Sequence, residues 1–218
     1  DFNILPHGYD PEDFENVDII KFETKKLRIL YSGIFYENIT PKYLFKAFHE
    51  LSQERPDVTE KIELHFVGHF RKENRKLVKK LNLFESVVEH GYLNHKEVMR
   101  YLLSVDVLWV MLGNGENMDM VSAGKLFEYF GTKKPIIATV PEGASKTAAE
   151  NYKASFITKP DDINEIKKML INVFELYSKN ELPIPDEEFI LEHDRKYLSK
   201  KLVNDFQFFL KDEEWMLL

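Results

Sequence analysis

The chain reads as an α/β protein built on a parallel sheet. Short apolar strands alternate with helical segments, the connections between them are brief, and no sequence unit repeats. The stretch Val105–Met111 is nearly continuous apolar sequence, as expected of a strand covered on both faces.

Leu27–Tyr31 is the first core strand and runs into Ser32-Gly33. Thr40-Pro41 sets a helix start, proline being tolerated in a first turn, and Leu44, Phe45, Phe48 and Leu51 share one side of that helix. Ile62–Val67 is a second strand, followed by Gly68-His69-Phe70 and a basic helix over 71–81. Val87-Val88 is a short strand with Gly91-Tyr92-Leu93 as its exit loop. Asn94 is expected to cap the next helix, with Glu97 completing a capping-box pattern. After the strand at 105–111 come the polar loop Asn114–Asp119, a helix following Ser122, a strand over Pro135–Thr139, a helix near 143–152 and a weak strand at 155–157. A helix over 163–177 precedes the break at Pro183 and Pro185. Residues 187–210 then form a charged helical segment carrying Phe189, Leu198, Leu202, Phe206 and Phe209.

Three regions follow: an arm or interdomain linker over 1–24, which lacks periodicity, a sheet domain over 25–182, and a helical extension over 183–218. The absence of an initiator Met is read as a fragment or a processed form.

Composition narrows the function. A length of 218 residues with 17 Phe can bury a sizeable core. The net charge of −7, with lysines scattered among glutamates, argues against extended contact with a nucleic-acid backbone. With no cysteine there are no disulfides, thiolate metal sites or cysteine nucleophiles, and a reducing compartment is favoured. No apolar run reaches transmembrane length and no signal peptide is present, so a cytoplasmic location is expected, with peripheral membrane attachment left to a partner domain. No spacing suggests a metal cluster, and no Ser/His/Asp arrangement or separated acid–base carboxylate pair stands out.

The chemistry concentrates in Ser122-Ala-Gly124-Lys125-Leu-Phe-Glu128. Free amides at a helix start favour phosphate oxygens, and Gly124 allows close approach. Lys125 adds positive charge, and the Glu128 carboxylate can accept two hydrogen bonds from a ribose diol. The alternative is a solvated i,i+3 ion pair worth little. Gly33 could admit a phosphate or sugar to the backbone, or be a plain loop glycine, and Tyr36 and Glu37 are weaker candidates. Glu116 and Asp119 could face sugar hydroxyls or simply be surface residues. His69 and Arg71 could assist phosphates, although a lone histidine is more often structural. His7 is either a surface residue of the arm or a neighbour of an interdomain cleft.

These blocks, with Ile4-Leu-Pro-His-Gly-Tyr-Asp10, Tyr31-Ser-Gly33, Val105-Asp-Val-Leu-Trp109, Gly124-Lys-Leu-Phe-Glu-Tyr129 and Lys134-Pro-Ile136, resemble the C-terminal, donor-binding half of a GT-B glycosyltransferase of the retaining family-four type. The resemblance covers nearly the whole chain and implies a Rossmann-like parallel sheet with helices on both faces, half of a GT-B architecture. It implies a UDP- or GDP-sugar donor, no required metal, and a glycan or lipid-linked acceptor bound by a missing N-terminal domain, so that this half alone does not perform transfer. Glu128 would hold the ribose, the Gly33–Phe35 loop would approach the diphosphate, and Tyr92 would border the base. Residues 114–124 would surround the sugar and phosphates, bringing Glu116, Asp119 and Gly124 to the donor with His69 beside them. Lys125 and Glu128 would carry the catalytic burden.

Three positions depart from that pattern. Met120 stands where many relatives have a second glutamate, and Ile34 and Phe35 leave no arginine after the first glycine turn. A non-catalytic nucleotide- or sugar-binding module and half of a sugar-nucleotide epimerase are the competing accounts.

Overall fold

The computed structural model describes residues 5–36 and 38–213, with side chains described through 208. Ile4, Glu37 and the Phe209 side chain therefore lie outside the described set.

Six strands form one parallel sheet: β1 (Leu27–Ser32), β2 (Ile62–Val67), β3 (Val87–Gly91), β4 (Val107–Met111), β5 (Ile136–Thr139) and β6 (Ser155–Thr158). Their order is β3-β2-β1-β4-β5-β6. The chain builds outward from β1 to β3, then returns to lay β4 on the other side of β1. That reversal is the topological switch point of doubly wound α/β sheets, where ligands bind beyond the strand ends.

Nine α-helices cover the two faces among the described residues: α1 (Lys42–Glu54), α2 (Pro56–Thr59), α3 (Lys72–Lys80), α4 (His95–Ser104), α5 (Gly124–Gly131), α6 (Ala144–Asn151), α7 (Ile163–Lys179), α8 (Glu187–Glu192) and α9 (Arg195–Glu213). Alternation along each strand divides the core in two. Leu27, Ile29, Tyr31, Val107, Trp109 and Ile137 pack with α1, α3 and α7. Leu30, Leu108, Val110, Ile136 and Ala138 pack with α4, α5, α6 and α8. All five residues of β4 are buried, which explains its unbroken apolar run.

Several boundaries differ from the sequence reading. Pro41 caps α1 rather than entering its first turn. The strand expected from Val105 begins at Val107, because Val105 ends α4. The short α2 was not anticipated. At Asn94 only half of the capping box forms. The Glu97 N–H donates to Asn94 Oδ1 at 3.0 Å, while the Glu97 carboxylate turns to Arg100 at 2.9 Å.

The helical segment expected over 187–210 is broken at His193-Asp194 because the N-terminal arm docks there. The Tyr9 N–H donates to the His193 carbonyl at 2.9 Å, and the Arg195 N–H donates to the Tyr9 carbonyl at 2.9 Å. Gly8 is tight against the His193 carbonyl, so any side chain would part the two segments. Beyond it, Pro11–Phe14 form a 3-10 turn with Asp10 as cap. No helix among the described residues is long and apolar enough to cross a membrane.

Candidate functional site

β1 and β4 pair only over Ile29–Leu30 and Val107–Leu108. Side chains complete the seam at both ends: the Arg28 N–H donates to Asp106 Oδ2 at 2.8 Å, and the Ser32 N–H to the Tyr129 hydroxyl at 3.0 Å. Tyr129 is fully buried, so this bond ties α5 to the end of β1.

Gly33 follows with φ +134°, a conformation L side chains rarely adopt. Its N–H donates to the Val67 carbonyl at 2.8 Å, and the Gly68 N–H donates to Gly91 at 2.7 Å. Gly68 sits against the Gly33 backbone with no room for a side chain. The three strand ends are thus knit together by glycines.

α5 opens at Gly124 without a side-chain cap. Ser145 of α6 holds the loop before it, accepting from the Ala123 N–H at 2.9 Å and donating to the Val121 carbonyl at 2.7 Å. In front of Gly124 the space is open, since an added Cβ would meet no atom within 4 Å. Uncapped first-turn amides facing open space favour an anion.

Lys125 supplies the charge. Its ammonium lies 3.7 Å from the centroid of the Tyr31 ring, and a Cβ on Gly33 would be 2.9 Å from Nζ. Burial pulls its pKa down to about 7, with Glu128 pulling the other way. The two side chains feel each other's charge but form no ion pair, which removes the solvated-pair alternative. Burial raises the pKa of Glu128 and Asp13 adds to the effect, while His95, Lys125 and Arg195 oppose it.

Two clefts meet at this point. One, of about 280 Å³, is lined by His7, Tyr9, Asp13, Glu128 and Arg195 together with Gly124 and Lys125. The other, of about 370 Å³, runs from Gly33 along Ile39, Leu112 and Val121 to the same Gly124 and Lys125. His7 is exposed, stacks on Phe127 at 5.2 Å and forms part of the wall of the first cleft. Arg195 donates to the Gly8 carbonyl at 3.0 Å. Neither Arg195 nor Asp13 was singled out in the sequence, because each reaches the cleft only through docking of the arm on α9.

The remaining expected residues are more dispersed. His69 and Tyr92 follow β2 and β3, are exposed, and line neither cleft. Glu116 and Asp119 are exposed on the loop carrying the 3-10 turn Met118–Met120, and they too line neither. Phe35 departs from expectation: it is 3% exposed and stacks on Tyr31 at 4.2 Å. Its ring belongs to the aromatic core beneath the Gly33 loop, and only its backbone is left for a ligand. Among the described residues no cluster of His, Asp and Glu could hold a metal ion.

A doubly wound sheet with an anion-favouring helix start and an unpaired lysine at its switch point defines a Rossmann-like domain. The chain belongs to the family of group 1 glycosyl transferases, whose model matches residues 12–184. Its fold is that of solved structures at low identity. Sucrose-phosphate synthase from Thermosynechococcus elongatus aligns at TM-score 0.68 and 15% identity, over 96% of this chain and 53% of that one. HepE from Anabaena, solved in complex with UDP and glucose, aligns at TM-score 0.68 and 13% identity over 94% and 56%. A UDP-forming α,α-trehalose-phosphate synthase from Burkholderia xenovorans, solved with glucose-6-phosphate, gives 0.63 and 10% over 84% and 44%. The chain thus spans about half the length of these proteins. No curated protein sequence matches it closely enough to count as a relative.

Proposed function

We propose that this chain binds the nucleotide-sugar donor of a retaining glycosyltransferase whose acceptor is held by a second domain. The observation that carries the reading is Lys125. Its ammonium stands unpaired between Gly33 and the open start of α5, one helical turn before the unpaired carboxylate of Glu128. A nucleoside diphosphate has the matching groups, a diphosphate for the amides and lysine and a ribose diol for the carboxylate.

In transfer, the acceptor oxygen bonds to the anomeric carbon as the bond from that carbon to the diphosphate breaks, and the electron pair leaves on the diphosphate. Lys125 and the α5 amides stabilise the charge that develops there. The acceptor proton passes to a donor phosphate oxygen on the same face, which fits retention of configuration. Glu128 positions the nucleoside and takes no part in proton transfer. HepE, solved with UDP and glucose, shares this fold, which supports a UDP-sugar as the first donor to test, with GDP-sugars next.

A second reading, a non-catalytic binding module, draws on Met120 and Ile34. They are 70% and 54% exposed at positions where the resemblance leads one to expect a glutamate and a basic residue.

Calorimetric titration of the chain with UDP, GDP and ADP tests donor binding directly. Selective binding of one nucleotide supports the donor site, and no binding by the folded chain overturns it. Transfer by the intact protein then separates enzyme from module, and interconversion of a free sugar nucleotide without acceptor would indicate an epimerase.

A further inference from the structure

The two clefts at Lys125 are chemically unlike. The Glu128 side is polar and charged, with Asp13, His7 and Arg195 on its walls. On the far side, the second cleft continues into a third of about 160 Å³ that shares Tyr36, Ile39, Leu112 and Val121 with it. Among the described residues, the polar side chains of this joint trough are Tyr36, Asn38, Ser122 and Lys125, and none is a carboxylate. The rest of its surface is mainly aliphatic, from Ile34, Ile39, Met111, Leu112 and Val121.

Donor geometry follows from the shared wall. Gly124 and Lys125 line both sides and hold the diphosphate, while Glu128, on one side only, holds the ribose. The group on the other end of the diphosphate therefore leaves into the trough. A fully hydroxylated hexose would set hydroxyls against aliphatic walls that return few hydrogen bonds, and each unpaired hydroxyl is costly. A methyl group gains there by leaving water.

We infer that the donor sugar carries an apolar substituent, the methyl of a 6-deoxyhexose or of an acetamido group, seated in the trough lined by Ile39, Leu112 and Val121. This rests on the donor-site reading above.

The test is calorimetric titration of the chain with bare UDP and GDP and with matched conjugates. UDP-glucose is compared with UDP-N-acetylglucosamine, and GDP-mannose with GDP-rhamnose, its 6-deoxy counterpart. The methyl-bearing member of one pair is expected to bind about fivefold more tightly than its parent, and the pair that shows the preference identifies the source of the methyl. Val121→Asn, at the exposed mouth of the trough, is expected to narrow that difference to within about twofold. Parents that bind as tightly as their methyl-bearing partners overturn the inference, while binding of bare nucleotide would leave the donor site standing. If neither nucleotides nor conjugates bind, the donor-site reading and this inference fall together.

Discussion

The Tyr129 hydroxyl accepts the Ser32 N–H at 3.0 Å, at the point where β1 runs past its pairing with β4. This bond does the work of a missing ladder hydrogen bond and seats α5 beside the Gly33 turn. Tyr129→Phe keeps the ring and strips the buried amide of its partner. We expect it to lower unfolding stability by about 1–3 kcal/mol. Chemical denaturation that shows no loss would mean the amide finds another partner.

Lys125 tests the anion site. Lys125→Met keeps much of the packing over Tyr31 and removes the charge, so diphosphate affinity is expected to fall about 10- to 100-fold. Thermal unfolding should hold or improve, because the native state no longer has to bury an ammonium. A folded variant with wild-type affinity would take Lys125 out of the site.

The same lysine sets a pH dependence. Its pKa in the free protein is about 7, and an anion beside it raises that value. Binding therefore takes up a proton above pH 7, and affinity falls by about tenfold per pH unit from there towards the pKa of the complex. Titrations in buffers of different ionisation enthalpy would reveal the uptake. A pH-independent affinity between 7 and 9 contradicts it.

Glu128→Gln addresses the ribose. Replacing a carboxylate by an amide weakens the hydrogen bonds to a diol, and UDP affinity is expected to drop about tenfold. Affinity for 2′-deoxy-UDP should change much less, because one hydroxyl is already missing. Equal losses for both nucleotides would show that Glu128 acts elsewhere than on the 2′-hydroxyl.

A histidine pair away from the site is expected to weaken the fold in acid. His65 Nδ1 and His90 Nε2 lie 2.9 Å apart, with Glu63 at 3.2 Å from the other nitrogen of His65. Burial lowers the pKa of His65, and burial with the neighbouring His65 charge lowers that of His90 to about 4. Below about pH 6.5 the unfolded chain takes up a proton that folded His90 refuses until near pH 4. Stability should therefore fall as pH drops from 6.5 to 4. His90→Gln should flatten that slope, and an unchanged pH profile would exclude the pair.

Much of the scaffold was legible because local patterns carry it. Ile62–Val67 could be read with its ends, and the unbroken apolar run at β4 announced burial on both faces, since apolar periodicity is set by neighbours within a few residues. The Gly124-Lys125-Leu-Phe-Glu128 segment was legible too, as a helix start with a charge and a carboxylate on consecutive turns. What sequence could not place was anything depending on contacts far apart in the chain. Arg195 enters the cleft only because the Tyr9 backbone pairs with 193–195, nearly two hundred residues away. Phe35 reads as a loop residue after a glycine turn, yet aromatic packing with Tyr31, Phe66 and Trp109 draws it into the core.

By itself the sequence determined the parallel α/β class, the candidate helix start at Gly124 and the lack of any cysteine chemistry, because these depend on residue type and short spacing. Only the tertiary structure decided that Lys125 stands over Tyr31 rather than against Glu128, and that two clefts of opposite character share it. A lysine three residues from a glutamate can pair with it or turn away. Which it does depends on the space left by Gly33, and that space exists only once β1 and α5 have been brought together.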